Sequence, residues 1–259
     1  MVTAAAPVWP PPPEPLALDA GDVHVWRASL AMDAAALGAL RATLSPDERQ
    51  KADRFHFPHD RGDYVAARGV LREILGRYLD VRPEHVRFVY SRHGKPSLSA
   101  DMDAGWLHFN VSHSQGIALC AVASETEVGV DIEHIREGIE SAEIAARFFS
   151  RDEQSALDRL PPTRRLEAFF DCWTRKEAYI KALGEGLSHP LQSFTVPLGP
   201  GEASSVRRTD GSDTPARWSL EPLTPGPGYA GALAVGGVVR AVRCWQWEGR
   251  RQASPGRAT

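Results

Sequence analysis

The sequence predicts an α+β fold built from two halves that look alike in outline. Two long helical segments, residues 63–79 and 166–183, are each followed by strand patterns. The break between the two halves lies near residues 114–120. The halves show no clean sequence repeat. Any duplication is therefore expected to be structural only.

Composition narrows the class of protein. The chain has 259 residues, 42% of them hydrophobic, which suffices for one large domain or two smaller ones. Its net charge of -3 does not favour a general nucleic-acid binder. Three cysteines lie far apart, and Cys120 and Cys172 sit in apolar runs, which favours reduced, buried thiols and a cytoplasmic protein. No apolar run is long enough to span a bilayer, and the N-terminus lacks a secretory pattern, so we expect no membrane partner.

The first half, residues 21–116, follows an Ala- and Pro-rich segment, 1–20, that we expect to be disordered or extended. Ser45-Pro46-Asp47-Glu48 predicts a helix start, with Ser as N-cap, Pro at the first position and Glu at the third. The remaining predicted elements are strands at 23–26, 86–90 and 107–111 and helices at 34–43 and 63–79.

The second half, residues 117–248, begins with a continuous apolar run, 117–123, typical of a strand buried on both faces. Apolar and acidic residues then alternate, so that Asp131 and Glu133 share one strand face. Gly184 is expected to end the long helix, and residues 249–259 to form a loose tail. Further elements are helices at 144–149 and from Ser150, and strands around 194–196, 218–220, 230–235 and 238–247.

Three carboxylates suggest a metal site. Asp131 and Glu133 lie roughly 7 Å apart along their strand and repel each other unless a cation joins them or one is protonated. Glu177 lies on the apolar stripe of the long helix, where Lys181, one turn on, or a bound cation would compensate its charge. Together the three acids suit Mg²⁺ or Mn²⁺. The alternative is that Asp131 and Glu133 form the solvated face of an amphipathic strand, which the apolar strand before them makes less expected.

Other residues are candidates for binding an anion. Ser112 and His113 end a strand with a hydroxyl and an imidazole suited to a phosphate, although an ordinary turn also uses such residues. The turn Gly94-Lys95-Pro96 presents one ammonium group, with Pro96 stiffening the loop. The basic residues Arg49, Lys51 and Arg72 either face solvent from a helix or supply charge for a polyanionic ligand.

Three blocks in this order resemble the 4′-phosphopantetheinyl transferases, in particular the larger surfactin-synthetase type with two fused halves. The blocks are residues 93–96, residues 109–114 running on to 128–133, and residues 173–181 with Gly184-Glu185-Gly186-Leu187. Residues 44–79 also look similar, so the resemblance covers most of 44–196. It implies that family's pseudo-duplicated fold, two similar α/β halves with the site between them.

The resemblance implies transfer of the phosphopantetheine arm of coenzyme A to a serine of an acyl- or peptidyl-carrier protein, with release of 3′,5′-ADP. Asp131, Glu133 and Glu177 would hold Mg²⁺ on the pyrophosphate. Lys181 would contact the phosphate near the reacting bond, and Glu177 or a metal-bound water would act as base. Coenzyme A would be held by Arg49, Lys51, Arg72, Lys95, Pro96, Ser112, His113 and Lys181, with His113 at the 3′-phosphate.

One departure from the family is Glu48, where members often place a lysine near the 3′-phosphate. Arg49 and Lys51 would compensate for that change. The segment 139–157 combines apolar and basic side chains and would dock the carrier protein, although it also fits an ordinary amphipathic helix packed on the body. The two-half form implies a monomer, and by resemblance it favours secondary metabolism.

Two other functions fit parts of the pattern. A non-catalytic coenzyme A- or nucleotide-binding protein would keep Lys95 and His113, but the presence of all three acids disfavours it. A metal-dependent phosphodiester hydrolase would release free phosphopantetheine without using a carrier protein.

Overall fold

The computed structural model describes residues 9–186, 189–198, 206–209 and 218–249. In these ranges the helices are α1 (Ala34–Thr43), α2 (Pro46–Asp53), α3 (Pro58–Leu79), α4 (Ser141–Phe148), α5 (Arg151–Asp158) and α6 (Pro162–Leu183). The strands are β1 (Asp22–Ser29), β2 (Phe88–Tyr90), β3 (Pro96–Leu98), β4 (Leu107–Ser114), β5 (Ile117–Ser124), β6 (Val128–His134), β7 (Phe194–Thr195), β8 (Arg207–Arg208), β9 (Trp218–Leu223), β10 (Tyr229–Gly236) and β11 (Ala241–Gln246). This mixture confirms the predicted α+β class.

Two sheets form the centre of the molecule. The first has the order β11-β1-β5-β4, in which β1 pairs parallel with β11 and antiparallel with β5. The second is antiparallel, with the order β6-β10-β9. Because β5 lies between β1 and β4, and β11 returns to β1 from the far end of the chain, sheet membership does not follow the predicted division at residues 116 and 117.

The hydrophobic core has three parts that define the layers. One joins α3 to the first sheet, one joins α6 to the second sheet, and one lies between the two sheets. Strand β5 contributes to two of them: Cys120 and Val122 face α3, whereas Leu119 and Ala121 face the second sheet. The strand is therefore buried on both faces, as its apolar run predicts. The two helix-on-sheet halves pack sheet against sheet.

Each half carries a capping box whose glutamate is buried. The backbone N–H of Ser45 donates to Glu48 at 2.9 Å, and that of Ser150 donates to Glu153 at 2.7 Å. These are the two helix starts that the sequence predicts. Both glutamates then form ion pairs with the long helix of their own half, Glu48 with Arg72 at 2.7 Å and Glu153 with Lys176 at 2.8 Å.

Several predicted boundaries shift. Helices α3 and α6 begin earlier than predicted, at Pro58 and Pro162, because proline suits the first position of a helix. Helix α6 ends at Gly184 with a φ of 72°, as predicted. Strand β4 continues to Ser114, beyond the predicted end at residue 111.

Part of the N-terminal segment packs on the body. Trp9 is 8% exposed, and its indole N–H donates to the carbonyl of Thr224 at 3.0 Å. The carbonyl of Pro10 accepts a hydrogen bond from the Gln246 backbone at 2.8 Å. From residue 9 onward the segment is therefore held against the body, which fits the extended alternative, and Trp9 belongs to the core between the two sheets. Residues 1–8, like 250–259 of the predicted tail, lie outside the described residues.

In the described part of the chain, no helix is both long enough and apolar enough to cross a bilayer.

Candidate active site

Gly129 brings helix α6 directly onto strand β6. A Cβ atom added at this glycine would lie 2.1 Å from the Ala178 carbonyl oxygen and 2.4 Å from the Ala182 amide nitrogen. Any larger residue would therefore push the helix away. The close approach places Glu177 and Lys181 of α6 over the acidic end of β6.

Asp131 is the centre of a buried hydrogen-bond cluster. It is 3% exposed, and its Oδ1 accepts from Lys181 Nζ at 2.6 Å and from Ser112 Oγ at 2.8 Å. The Lys181 ammonium also donates to Ser112 Oγ at 2.8 Å. The other carboxylate oxygen, Oδ2, is buried and has no hydrogen-bond partner among the described residues. The solvated-strand alternative is therefore wrong for Asp131, which faces the helix.

The charges of Asp131 and Glu133 act on the Glu177 carboxylate. Burial raises its pKa to about 7, the negative charges of Asp131 and Glu133 add to this rise, and Lys181 opposes it. Burial and the charge of Asp131 also raise the pKa of Glu133, whose Oε2 accepts from Ser114 Oγ at 3.2 Å. The structure thus brings together the three carboxylates that the sequence singled out.

These acids do not form a ready-made metal cage. Among the described residues, no group of three His, Cys, Asp or Glu side chains is arranged to hold a metal ion. However, Mg²⁺ usually takes only one or two carboxylates and completes its shell with water and phosphate oxygens. Hard oxygen donors, the unpartnered Oδ2 of Asp131 and the mutual repulsion at Glu177 all fit such a cation.

Lys95 joins the hairpin β2–β3 to the end of α6. Its ammonium donates to Glu127 Oε2 at 2.8 Å and to the Ala182 carbonyl at 2.9 Å, so it caps the last turn of the helix. A hydrogen bond with His108, together with Lys95, lowers the pKa of Glu127 to about 2. Lys95, Pro96, His108 and Glu127 line a cavity of about 460 Å³ whose wall includes Trp218.

The remaining predicted anion-binding residues are spread over the first half. His113 lies near the end of β4, where desolvation and the charge of Lys181 lower its pKa, and Asp63 opposes this shift. Lys51 is exposed, with its Nζ 5.3 Å from the centre of the Tyr64 ring, and Arg49 is half-buried.

Arg72 is not placed for ligand binding. It is 1% exposed, and its guanidinium bonds to Glu48 and to the carbonyls of Pro83 and Val86. We therefore correct the prediction for this residue: the partner of its charge is a buried carboxylate. Glu48 is 2% exposed and also pairs with Arg68 at 2.9 Å, so the departure from the family at this position serves the core.

Comparison with known proteins gives the family. A family model described as the 4′-phosphopantetheinyl transferase superfamily matches residues 127–234, and the model 4′-phosphopantetheinyl transferase, N-terminal, matches 26–127. The chain is 39% identical to 4′-phosphopantetheinyl transferase HetI of Nostoc sp. over 92% of this chain and 98% of that protein. The chain belongs to the 4′-phosphopantetheinyl transferase superfamily.

Other members of the superfamily are also similar. The identity is 34% to 4′-phosphopantetheinyl transferase Sfp of Bacillus subtilis, over 71% of this chain and 79% of that one. It is 30% to the human L-aminoadipate-semialdehyde dehydrogenase-phosphopantetheinyl transferase, over 61% of this chain and 54% of that one. The resemblance seen in the sequence and its two-half fold are thereby confirmed.

The sequence pattern missed some residues of this candidate site. Ser114 stands two residues after Ser112 on β4, matching the spacing of Asp131 and Glu133 on β6, and that shared period was the available signal. Glu127 had no comparable signal, because its partner Lys95 is distant in the chain. The two matching family models meet at this residue, in the connection between β5 and β6.

Proposed function

We propose that this chain transfers the 4′-phosphopantetheine arm of coenzyme A to a serine of an acyl- or peptidyl-carrier protein and releases 3′,5′-ADP. The observation that carries the proposal is the meeting of Glu177 and Lys181 on α6 with Asp131 and Glu133 on β6. These groups come from distant parts of the chain and gather both signs of charge in one partly buried place. Family membership supports the same reaction.

In this reaction the serine oxygen of the carrier forms a bond to the phosphorus next to the pantetheine arm. The bond from that phosphorus to the oxygen bridging the two phosphates breaks, and 3′,5′-ADP leaves with the electron pair. Such a transfer depends on positioning and charge neutralisation more than on covalent help. Lys181 would neutralise charge near the reacting bond, and Glu177 would accept the proton of the serine.

Asp131, Glu133 and Glu177 would hold Mg²⁺ or Mn²⁺, which when bound would neutralise the charge of the pyrophosphate. A carboxylate has two oxygens, so Glu177 can bind the ion through one and receive a proton at the other. Coenzyme A would lie against Lys95, Pro96, Ser112 and His113, with Arg49 and Lys51 supplying further positive charge. The short Lys95 contacts with Glu127 and Ala182 indicate that its ammonium is held in place before the substrate arrives.

We propose helices α4 and α5 as the docking surface for the carrier. Arg147 and Arg151 are exposed there, and Ile144 and Phe148 are half-buried beside them. Phe149 is buried and belongs to the core, so it falls outside this surface. Exposed arginines beside apolar groups suit an acidic carrier with an apolar helix face.

We also retain a cytoplasmic monomer acting in secondary metabolism as part of the proposal. The three cysteines are free, and Cys120 and Cys172 are buried, which supports a reducing compartment.

The test is the mass of an apo-carrier protein after incubation with coenzyme A, Mg²⁺ and this protein. We expect the carrier to gain one phosphopantetheine, and a carrier with its acceptor serine replaced by alanine to gain nothing. An unchanged carrier mass, across both fatty-acid and peptide-synthetase carriers, would overturn the proposal. Free phosphopantetheine released without a carrier would instead indicate the hydrolase.

A further inference from the structure

The two central sheets meet through side chains at β4 and β6, where no backbone pairing joins them. Strands β4 and β6 belong to different sheets. Alternate residues of β4 nevertheless reach across to β6 or to the residue before it. The contacts are His108 with Glu127 at 3.2 Å, Asn110 with the Val130 amide at 2.9 Å, Ser112 with Asp131 at 2.8 Å, and Ser114 with Glu133 at 3.2 Å.

The last two contacts end on carboxylates of the proposed metal site. Serines two apart on β4 match acids two apart on β6, because both strands repeat every second residue. Each of the two acids therefore accepts a hydrogen bond from its own serine hydroxyl.

The direction of each hydroxyl follows from its second partner. A serine hydroxyl has one hydrogen to donate and two lone pairs to accept with. Ser114 Oγ accepts from the His134 backbone N–H at 3.1 Å, so its hydrogen is free to point at Glu133. Ser112 Oγ accepts from the Lys181 ammonium, so its hydrogen points at Asp131.

The backbone that carries Ser114 is also held. The next two residues, Gln115 and Gly116, have φ values of 41° and 81° and form the tight turn between β4 and β5. The Tyr229 hydroxyl donates to the Gln115 carbonyl at 2.7 Å, which braces that turn from β10. Ser114 is therefore a fixed point from which to orient a flexible side chain.

We propose that Ser114 is a positioning residue that orients the Glu133 carboxylate toward the divalent cation. Glu133 is half-buried at the end of β6, and a glutamate side chain loses rotamer freedom when it binds. A directed hydroxyl on one carboxylate oxygen leaves the other for the ion. Groups that orient a metal ligand in this way typically contribute about 10- to 100-fold to metal affinity or activity. The inference rests on the proposed metal site.

The test compares Ser114→Ala with Ser114→Thr, which keeps the hydroxyl on a residue well suited to a strand. Ser219→Ala is the matched control, because Ser219 is a half-buried strand serine whose hydroxyl bonds to the Gly237 carbonyl. Mn²⁺ affinity is measured by electron paramagnetic resonance without carrier. The Mg²⁺ concentration that gives half-maximal transfer, the KM for coenzyme A and the Tm are measured alongside.

We expect Ser114→Ala to weaken Mn²⁺ binding about tenfold and to raise the half-saturating Mg²⁺ concentration similarly. The Tm and the KM for coenzyme A at saturating Mg²⁺ should stay near their original values. Ser114→Thr should restore most of the affinity, and Ser219→Ala should bind Mn²⁺ normally.

Unchanged Mn²⁺ affinity in Ser114→Ala would overturn the inference. So would an equal loss of Tm, Mn²⁺ affinity and coenzyme A affinity, since that pattern belongs to a purely structural residue. Either result, with a parent protein that still modifies its carrier, leaves the proposed function standing. A parent protein that never modifies a carrier would remove the proposed function itself.

Discussion

The two halves share the same arrangement of a long helix packed on a sheet, and their long helices match position by position. Helices α3 and α6 both have 22 residues and both begin with a proline. Counted from that proline, Arg72 and Lys176 occupy the same position. Each bonds to the capping-box glutamate of its half and to two carbonyls in the 3₁₀ turn region that follows the helix. The two halves therefore repeat the same structural contacts, although they show no clean sequence repeat.

The two halves differ in the strand that lies beside the next turn of the long helix. Glu73 and Glu177 also match in position, as do Arg77 and Lys181. Around α6, strand β6 supplies Asp131, which pairs with Lys181. In the first half the Arg77 guanidinium lies 5.6 Å from the centre of the Trp26 ring of β1. The matched cation thus lies against a carboxylate in one half and against an aromatic ring in the other. Asp131, the carboxylate beside Lys181, belongs to the proposed metal site.

The largest effect should come from the matched glutamates. Glu177→Gln removes the proposed base and should lower carrier modification by about 10²-fold or more, a typical contribution of general-base catalysis. Glu73→Gln, at the same helix position, should leave the rate within a few-fold. The carrier mass shift against time measures both, with circular dichroism to check folding. Near-normal turnover in Glu177→Gln, or equal losses in the two variants, would break the comparison.

The next largest effect should be a difference in stability between variants of the two buried ion pairs. Lys176 is fully buried, so Lys176→Met leaves Glu153 without its cation and should cost about 3–5 kcal/mol in free energy of unfolding. Arg72→Met should cost less, because Glu48 keeps a second partner in Arg68 at 2.9 Å. Urea denaturation monitored by tryptophan fluorescence measures both. A larger loss for Arg72→Met would mean that the two pairs do not share one role.

The local parts of this comparison were predictable from sequence. Both capping boxes follow from four adjacent residues, and the shared face of Asp131 and Glu133 follows from the period of a strand. The burial of Arg72 and Lys176 was not predictable, because each cation is compensated by a glutamate on another helix. A charged residue in a helical pattern is expected at the surface until its partner is known.

The contact at Gly129 was missed for the same reason. A glycine in a strand pattern signals a close approach, but only the packed fold shows which element approaches. The sequence therefore pointed to the three acids through their chemistry, and their role as metal ligands stays a prediction. It missed the residues that bring the acids together or orient them.

A third effect depends on pH in the metal-free protein. Glu177 has a pKa of about 7, above the 4.5 of an ordinary glutamate, so the folded state binds more protons than the unfolded state between these values. Stability should therefore fall as the pH rises from about 4.5 through 7. With chelator present, Glu177→Gln should become more stable relative to the parent protein over this range, by about 3 kcal/mol above pH 7. A gap that stays constant from pH 5 to 8 would contradict the raised pKa.

The smallest effect concerns the helix starts. The Ser150 hydroxyl accepts from the Glu153 amide at 3.3 Å and from the Thr195 hydroxyl at 2.9 Å, in a buried setting. Ser150→Ala should cost about 1 kcal/mol in free energy of unfolding. Ser45→Ala should cost less, because its hydroxyl donates to Asp47 at an exposed position. Thermal and urea unfolding of the two variants would show whether the order is reversed.

The parallel pairing of β1 with β11 has a consequence for how the protein is made. Strand β1 joins residues 241–246, more than two hundred positions later, along Asp22 to Arg27. While the chain emerges from the ribosome, that edge of the first sheet stays open until the last strand is translated. Open strand edges invite pairing with other chains. Nascent chains that stall before residue 241 should therefore be the species that aggregate or recruit chaperones.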